Sequence, residues 1–162
     1  MSARNEAADI HNLGVNFHLD GRHVEAVTCF ERAAAMFNAL GRATSEGNSR
    51  HALGDELHLL GDHSEAAVQY SIAYDLWIHT GHTRDAAVAM LNAGAELCEL
   101  ARFAGAVDCL EVAASLSLAI GDQDLQSRCV INIGICRQGS KGVGGGPGGG
   151  GGTGGMDAGV GL

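Results

Sequence analysis

Slid along itself by one long, fixed step, the chain falls back into register: Gly14, Gly54, Gly94 and Gly134 form one column, and Gly41, Gly81 and Gly121 another. Ala26, Ala66 and Ala106 form a third, and Ala33, Ala73 and Ala113 a fourth. A fixed period of this size belongs to folds in which each unit covers its neighbour's apolar face. The chain therefore reads as one array, not as several domains.

Inside a unit the apolar residues keep helical spacing. Ile10, Leu13, Gly14 and Phe17 lie at i, i+3, i+4 and i+7, and Val27, Phe30, Ala33, Ala34 and Phe37 follow the same rule. "LDGR" and "LGDH" place a glycine stop between the two halves, and so short a turn makes them an antiparallel helical pair. The spacing predicts first helices over 5–19, 43–59, 83–99 and 123–137, and second helices over 23–39, 63–79 and 103–119. Asp122 and Thr83 stand as N-caps. Gly47, early in its helix, is expected to fray that end. Close helix crossings account for the small columns, with Gly14, Gly54 and Gly94 expected to face Ala26, Ala66 and Ala106.

The core such a chain can build is aliphatic and alanine-rich, since 46% of residues are hydrophobic but only 4% aromatic. The formal charge of −9, with Lys141 as the single lysine, excludes a phosphate-backbone binder, which needs clustered cations. Nucleic acid is not an expected partner. Five cysteines, Cys29, Cys98, Cys109, Cys129 and Cys136, include no CxxC pair and read as free, mostly buried thiols of a reducing compartment. No secretory signal is legible at the N-terminus, and no apolar run approaches the roughly 18 residues of a membrane span. A cytoplasmic protein without a membrane partner is the expectation.

The "NLG", "HALG", "LNAG" and "INIG" segments, each followed by a glycine turn, and the runs "EAVTCFERA" and "EAAVQYSIA" resemble the tetratricopeptide repeat over residues 5–137. The 40-residue period is similar to the long variant of Pins-type polarity scaffolds and kinesin light chains. Ala101 stands where Gly21 and Gly61 stand, and no proline closes a unit. The resemblance implies an all-α, right-handed superhelical solenoid of three hairpins plus one further helix. It also implies a non-catalytic module that holds an extended peptide or a helix of a partner protein in a concave groove lined by first helices.

On that face the helical stripe carries His11, Asn12, Val15 and His18 from the first unit, His51, Asp55 and His58 from the second, and Asn92 from the third, with Asn132 in the same column. Asn12, Asn92 and Asn132 resemble the asparagines that clamp peptide backbones in long-repeat relatives, an amide offering both a donor and an acceptor. Hydrogen bonding within the helix surface or between helices is the other use of such a column. The lysine and arginine clamp for a terminal carboxylate is missing from the matching places.

The groove histidines, together with His23 and His63, which repeat as well, raise the question of a metal. His11 and His18 are two turns apart, about 10.5 Å of rise, too far to share an ion, which leaves cross-helix pairs such as His11 with His51 as the closer arrangement. No metal or other cofactor is expected, and a polar or pH-sensitive groove is the reading kept. Glu25, Glu31, Glu65 and Glu111 read as solvated outer faces, and no catalytic constellation stands out.

Residues 138–162 are a glycine-rich low-complexity tail, expected to be disordered. Before it, Val130, Ile131, Ile133 and Ile135 belong to a first helix with no second helix to cover them, as if a longer array had been cut short. Residues 129–136 are therefore the expected site of homo-oligomerisation, an alternative in which a structural fragment self-associates through its uncapped fourth-repeat helix.

Overall fold

The computed structural model describes residues 2–143, which form seven helices: α1 (Ala3–Leu19), α2 (His23–Ala39), α3 (Ala43–Leu59), α4 (His63–His79), α5 (Thr83–Glu99), α6 (Phe103–Ile120) and α7 (Gln123–Val143). Each helix packs on its neighbours in sequence, and α5 also touches α7. The result is an all-α solenoid with no strand among the described residues. Four of the expected boundaries agree at both ends. Helix α7 runs through Val143 rather than stopping at 137, and the remainder of the glycine-rich segment lies outside the described residues.

Helices end at regular intervals for one backbone reason. Gly21, Gly41, Gly61, Gly81 and Gly121 adopt left-handed φ values of 64 to 79°, and the same turn occurs at Ala101 with φ 56°. The amide of the next residue then reaches back to the last free carbonyls, as in Arg22 N–H to Phe17 O at 2.8 Å and Arg102 N–H to Leu97 O at 2.8 Å. An L side chain in this conformation costs about 1–2 kcal/mol. Ala101→Gly is therefore expected to raise stability by about 1 kcal/mol in urea melts, whereas Gly61→Ala should lower it by a similar amount.

Two of the capping expectations divide. Asp122 caps α7, accepting from Leu125 N–H at 3.0 Å. Thr83 is already helical, with His82 before it making no side-chain cap. Asp62, which the sequence reading passed over, caps α4 through Glu65 N–H.

The glycine columns make room first for large side chains; of the expected alanine partners only Ala106 is among the nearest contacts, its carbonyl oxygen 3.1 Å from where a Cβ on Gly94 would lie. A Cβ on Gly14 would lie 2.8 Å from the Phe30 ring, one on Gly54 2.7 Å from Tyr70, and one on Gly94 2.6 Å from Leu110. Each first helix thus lets a bulky residue of its own second helix lie against its backbone. Gly134 meets nothing, because no second helix follows α7 among the described residues. Gly47 does not fray. It is buried in α3 beneath the Trp77 indole, whose Nε1 has no hydrogen-bond partner among the described residues.

Cysteine usage also differs from expectation: Cys98 and Cys136 are paired, joining α5 to α7 with Cα atoms 5.8 Å apart, while Cys29, Cys109 and Cys129 are free. Within 129–136, Cys129 and Cys136 are buried and Ile133 packs against the same core. Only Val130, Ile131 and Ile135 of that segment's large apolar side chains are exposed. Helix α6, Phe103–Ile120, is long and apolar enough to cross a membrane, with mean hydropathy 1.6, contrary to the reading that no such run exists. Its Ala106, Leu110 and Ala113 belong to the core shared with α5 and α7.

Candidate functional site

Along one face, α1, α3 and α5 are separated by clefts. The first, about 330 Å³, is lined by His11 of α1, by Asn48, His51, Ala52 and Asp55 of α3, by Trp77 of α4, and by Arg84, Asp85 and Val88 of α5. A second, about 130 Å³, lies between α1 and α3 and takes in Val15, His18 and Glu56. A third, about 100 Å³, holds His11, Asn12, Phe37 and Asn48. The helical stripe read from sequence thus reappears as an indented surface: five of its nine residues, His11, Val15, His18, His51 and Asp55, line the two larger clefts, and Asn12 the smallest.

The floor of this surface is a chain of polar contacts over aromatic rings. His11 Nδ1 lies 2.9 Å from Ser49 Oγ, with its ring tilted on Phe30. His51 rests against both Tyr70 and Trp77. Asn92 donates to His51 Nε2 at 3.2 Å, which leaves the His51 proton on Nδ1, 3.4 Å from Asp55 Oδ2. The Tyr70 hydroxyl donates to Asp55 Oδ1 at 2.7 Å. Burial, then the Asp55 charge, pushes the Tyr70 phenol well above its ordinary range, so it remains a donor. For Asp55, burial works upward, yet the hydrogen bonds from His51 and Tyr70 work against it, and the carboxyl is held below its ordinary range.

Asn92 is therefore engaged between helices, the alternative use of its column, whereas Asn12 is exposed and makes no side-chain hydrogen bond among the described residues. Asn132 is half-buried on α7 and lines none of the three clefts. Burial holds the His11 imidazole below its ordinary 6.5. A histidine kept neutral by folding stabilises the fold above pH 6.5, and that contribution is lost as pH falls through 6.5 toward the folded value. His51, Asp55, Arg84 and Asp85 face the same cleft. His11→Gln is expected to flatten the part of the stability curve between pH 7 and about pH 5 relative to the unsubstituted chain, measured by urea melts at each pH.

His18 and His58 do something the sequence reading missed. His18 Nδ1 lies 2.5 Å from Glu56 Oε1, and His23 Nδ1 is 2.8 Å from Glu56 Oε2. One repeat later, His58 Nδ1 is 2.8 Å from Glu96 Oε1 and His63 Nδ1 2.6 Å from Glu96 Oε2. Glu56 and Glu96 are buried, at 1% and 4% exposed. Rise along one helix bears only on pairs within that helix; these clusters draw on three helices each. Their signal in the sequence is the recurrence of "HLDGRH" and "HLLGDH", whose second histidines, His23 and His63, stand equally far ahead of Glu56 and Glu96.

A stack of helical hairpins in which each helix packs on its neighbours in sequence defines an α-solenoid repeat protein. Residues 6–77 match the model of the tetratricopeptide repeat, which supports a tetratricopeptide-repeat assignment for this stretch of the chain. Among solved structures it is similar to BtubC (BKLC) from P. vanneervenii, with a TM-score of 0.62 and 12% identity over 100% of this chain and 72% of that one. That likeness is one of fold. No curated protein matches the sequence.

Proposed function

We propose that the face of α1, α3 and α5 binds an extended segment or a helix of a partner protein. Tetratricopeptide repeats generally mediate protein–protein interaction. The observation that carries the reading here is the 330 Å³ cleft, in which half-buried His11, His51 and Asp55 and exposed Arg84 and Asp85 surround the apolar Ala52, Trp77 and Val88. Alternating polar and apolar contacts of this kind suit a peptide, whose backbone needs hydrogen bonds and whose side chains need pockets. Exposed Asn12 and Val15 extend the surface on α1. A cytoplasmic adaptor or scaffold role is part of the same proposal.

The test is selection from a library of disordered peptides on the immobilised full chain, with an Asn12→Ala/Val15→Arg variant beside it. A motif enriched on the unsubstituted chain and lost on the variant supports the groove. Enrichment of the same peptides on both counts against it.

A second copy of the chain is the alternative partner, favoured by exposed Val130, Ile131 and Ile135 on α7, which are 59%, 62% and 56% accessible. Under it, light scattering finds a dimer that Ile131→Lys/Ile135→Lys converts to monomer. A monomer in both cases removes this alternative.

A further inference from the structure

The two histidine–glutamate clusters are not accounted for by peptide binding. Each takes a histidine from the last turn of a first helix, a histidine from the start of the next second helix, and a glutamate from the following first helix. His18, His23 and Glu56 form the first, and His58, His63 and Glu96 the second. In both, the two imidazoles stand edge to face, with centroids 6.1 and 5.8 Å apart, so that one Nδ1 meets each carboxylate oxygen. One ligand atom from each residue falls within 4.8 Å of the others.

Charge separates these glutamates from the third buried one. Glu46 is held by Arg50 at 3.1 Å and by the Asn38 amide at 3.0 Å. Glu56 and Glu96 have no lysine or arginine at ion-pair distance among the described residues, only imidazoles. A carboxylate taken out of water needs a compensating positive charge. Here it has to be a proton held on an imidazole or a cation held between the three groups.

The third junction supplies the second argument. At the corresponding positions of the next unit, Cys98, Phe103 and Cys136 replace the histidines and the glutamate together, and Cys98 and Cys136 are covalently joined. The place where α1 meets α3, and α3 meets α5, is thus the place where α5 is cross-linked to α7. We infer that the clusters His18/His23/Glu56 and His58/His63/Glu96 are two sites for a divalent transition-metal ion of the zinc class. Each ion ties a helical hairpin to the first helix of the next repeat.

Ligand chemistry selects the ion. Two imidazoles and one carboxylate suit zinc, cobalt or nickel, whereas calcium and magnesium demand mostly oxygen. Three ligands at about 2.1 Å from a common centre stand roughly 3.4 Å apart in tetrahedral geometry. The short nitrogen–oxygen contacts run to the two different carboxylate oxygens and open by about 1 Å or less, while the other ligand-atom separations, all within 4.8 Å, close toward the same value by rotation of His18 and His58, half exposed on the solvent side. Each imidazole then offers its Nδ1 lone pair and carries its proton on Nε2. Water completes the coordination from the open side.

The experiment is calorimetric titration of the full chain, stripped with chelator and with free thiols kept reduced, using Zn²⁺ and then Co²⁺ as the probe. Two equivalents of Zn²⁺ are expected, falling to one in Glu56→Gln, to one in Glu96→Gln, and to none in the double variant. Exposed His82→Gln should leave two. X-ray absorption at the zinc edge should show nitrogen and oxygen without sulfur. Circular dichroism on each variant checks that it folds, and His18→Asn and His58→Asn serve where a glutamine variant does not. No saturable binding up to millimolar Zn²⁺ would leave the clusters as hydrogen-bonded pairs and overturn the assignment. Sulfur in the coordination shell, or a stoichiometry indifferent to the glutamate substitutions, would overturn it equally. One equivalent, lost with one glutamate only, would overturn it for the other cluster.

Discussion

Leu110→Ala is expected to cost about 2–5 kcal/mol in urea melts. Leu110 is fully buried, packs with Ala87, Leu91, Leu125 and Cys129 in the core joining α5, α6 and α7, and lies against the backbone at Gly94. Truncation removes apolar surface and leaves a cavity between two helices that glycine holds close. Gly94→Ala by itself should cost about 1–3 kcal/mol, because its Cβ would stand 2.6 Å from Leu110 Cγ and 3.1 Å from the Ala106 carbonyl oxygen. That steric cost exceeds the gain of about 1 kcal/mol for alanine over glycine in a helix. In the Leu110→Ala background the nearest obstruction is gone, so Gly94→Ala should be milder there than alone. Such non-additivity is the signature of a glycine kept for a neighbour's bulk. Equal costs in both backgrounds would mean that the column serves some other purpose.

The second large effect concerns binding. Asn12→Ala/Val15→Arg changes two exposed residues on the groove side of α1, so stability should move by less than about 0.5 kcal/mol. Affinity for a selected peptide should fall at least tenfold, about 1.4 kcal/mol or more. Ile131→Lys/Ile135→Lys, on exposed positions of α7, should leave that affinity unchanged. The opposite ranking, measured by fluorescence anisotropy with one labelled peptide, would transfer the binding surface to the end of the array.

Most of the fold was legible because local and global signals repeat together. Glycine at every twentieth position from Gly21 to Gly121, Ala101 excepted, both ends a helix and fixes the hairpin, so boundaries followed from punctuation as much as from apolar spacing. The facing of the columns was not legible. A small residue announces that something comes close, but whether the neighbour is Ala26 or the Phe30 ring depends on the crossing geometry. Ile133 was read as uncovered because a helix without a successor was assumed to lack any partner on that side, whereas α6 and α5 already cover it.

Of the site, the stripe His11, Val15, His18, His51 and Asp55 was legible, since residues sharing a helical face and a repeat column share a surface. The clusters at Glu56 and Glu96 were not. Their members come from three different helices, as His18, His23 and Glu56 do, and no single-helix pattern contains them. Recurrence from one unit to the next was the one available sign, visible in His23 and His63 but not followed to the glutamates. The Cys98 and Cys136 pairing escaped for the same reason, since the two stand on helices that meet only through the superhelix.

That the first helices form the working face is tested most directly by amide hydrogen exchange on the full chain with and without a selected peptide. Protection is expected in α1, α3 and α5, around Asn12, His51 and Val88, with α7 unchanged. Protection confined to 129–136, with the groove segments exchanging as before, would contradict it.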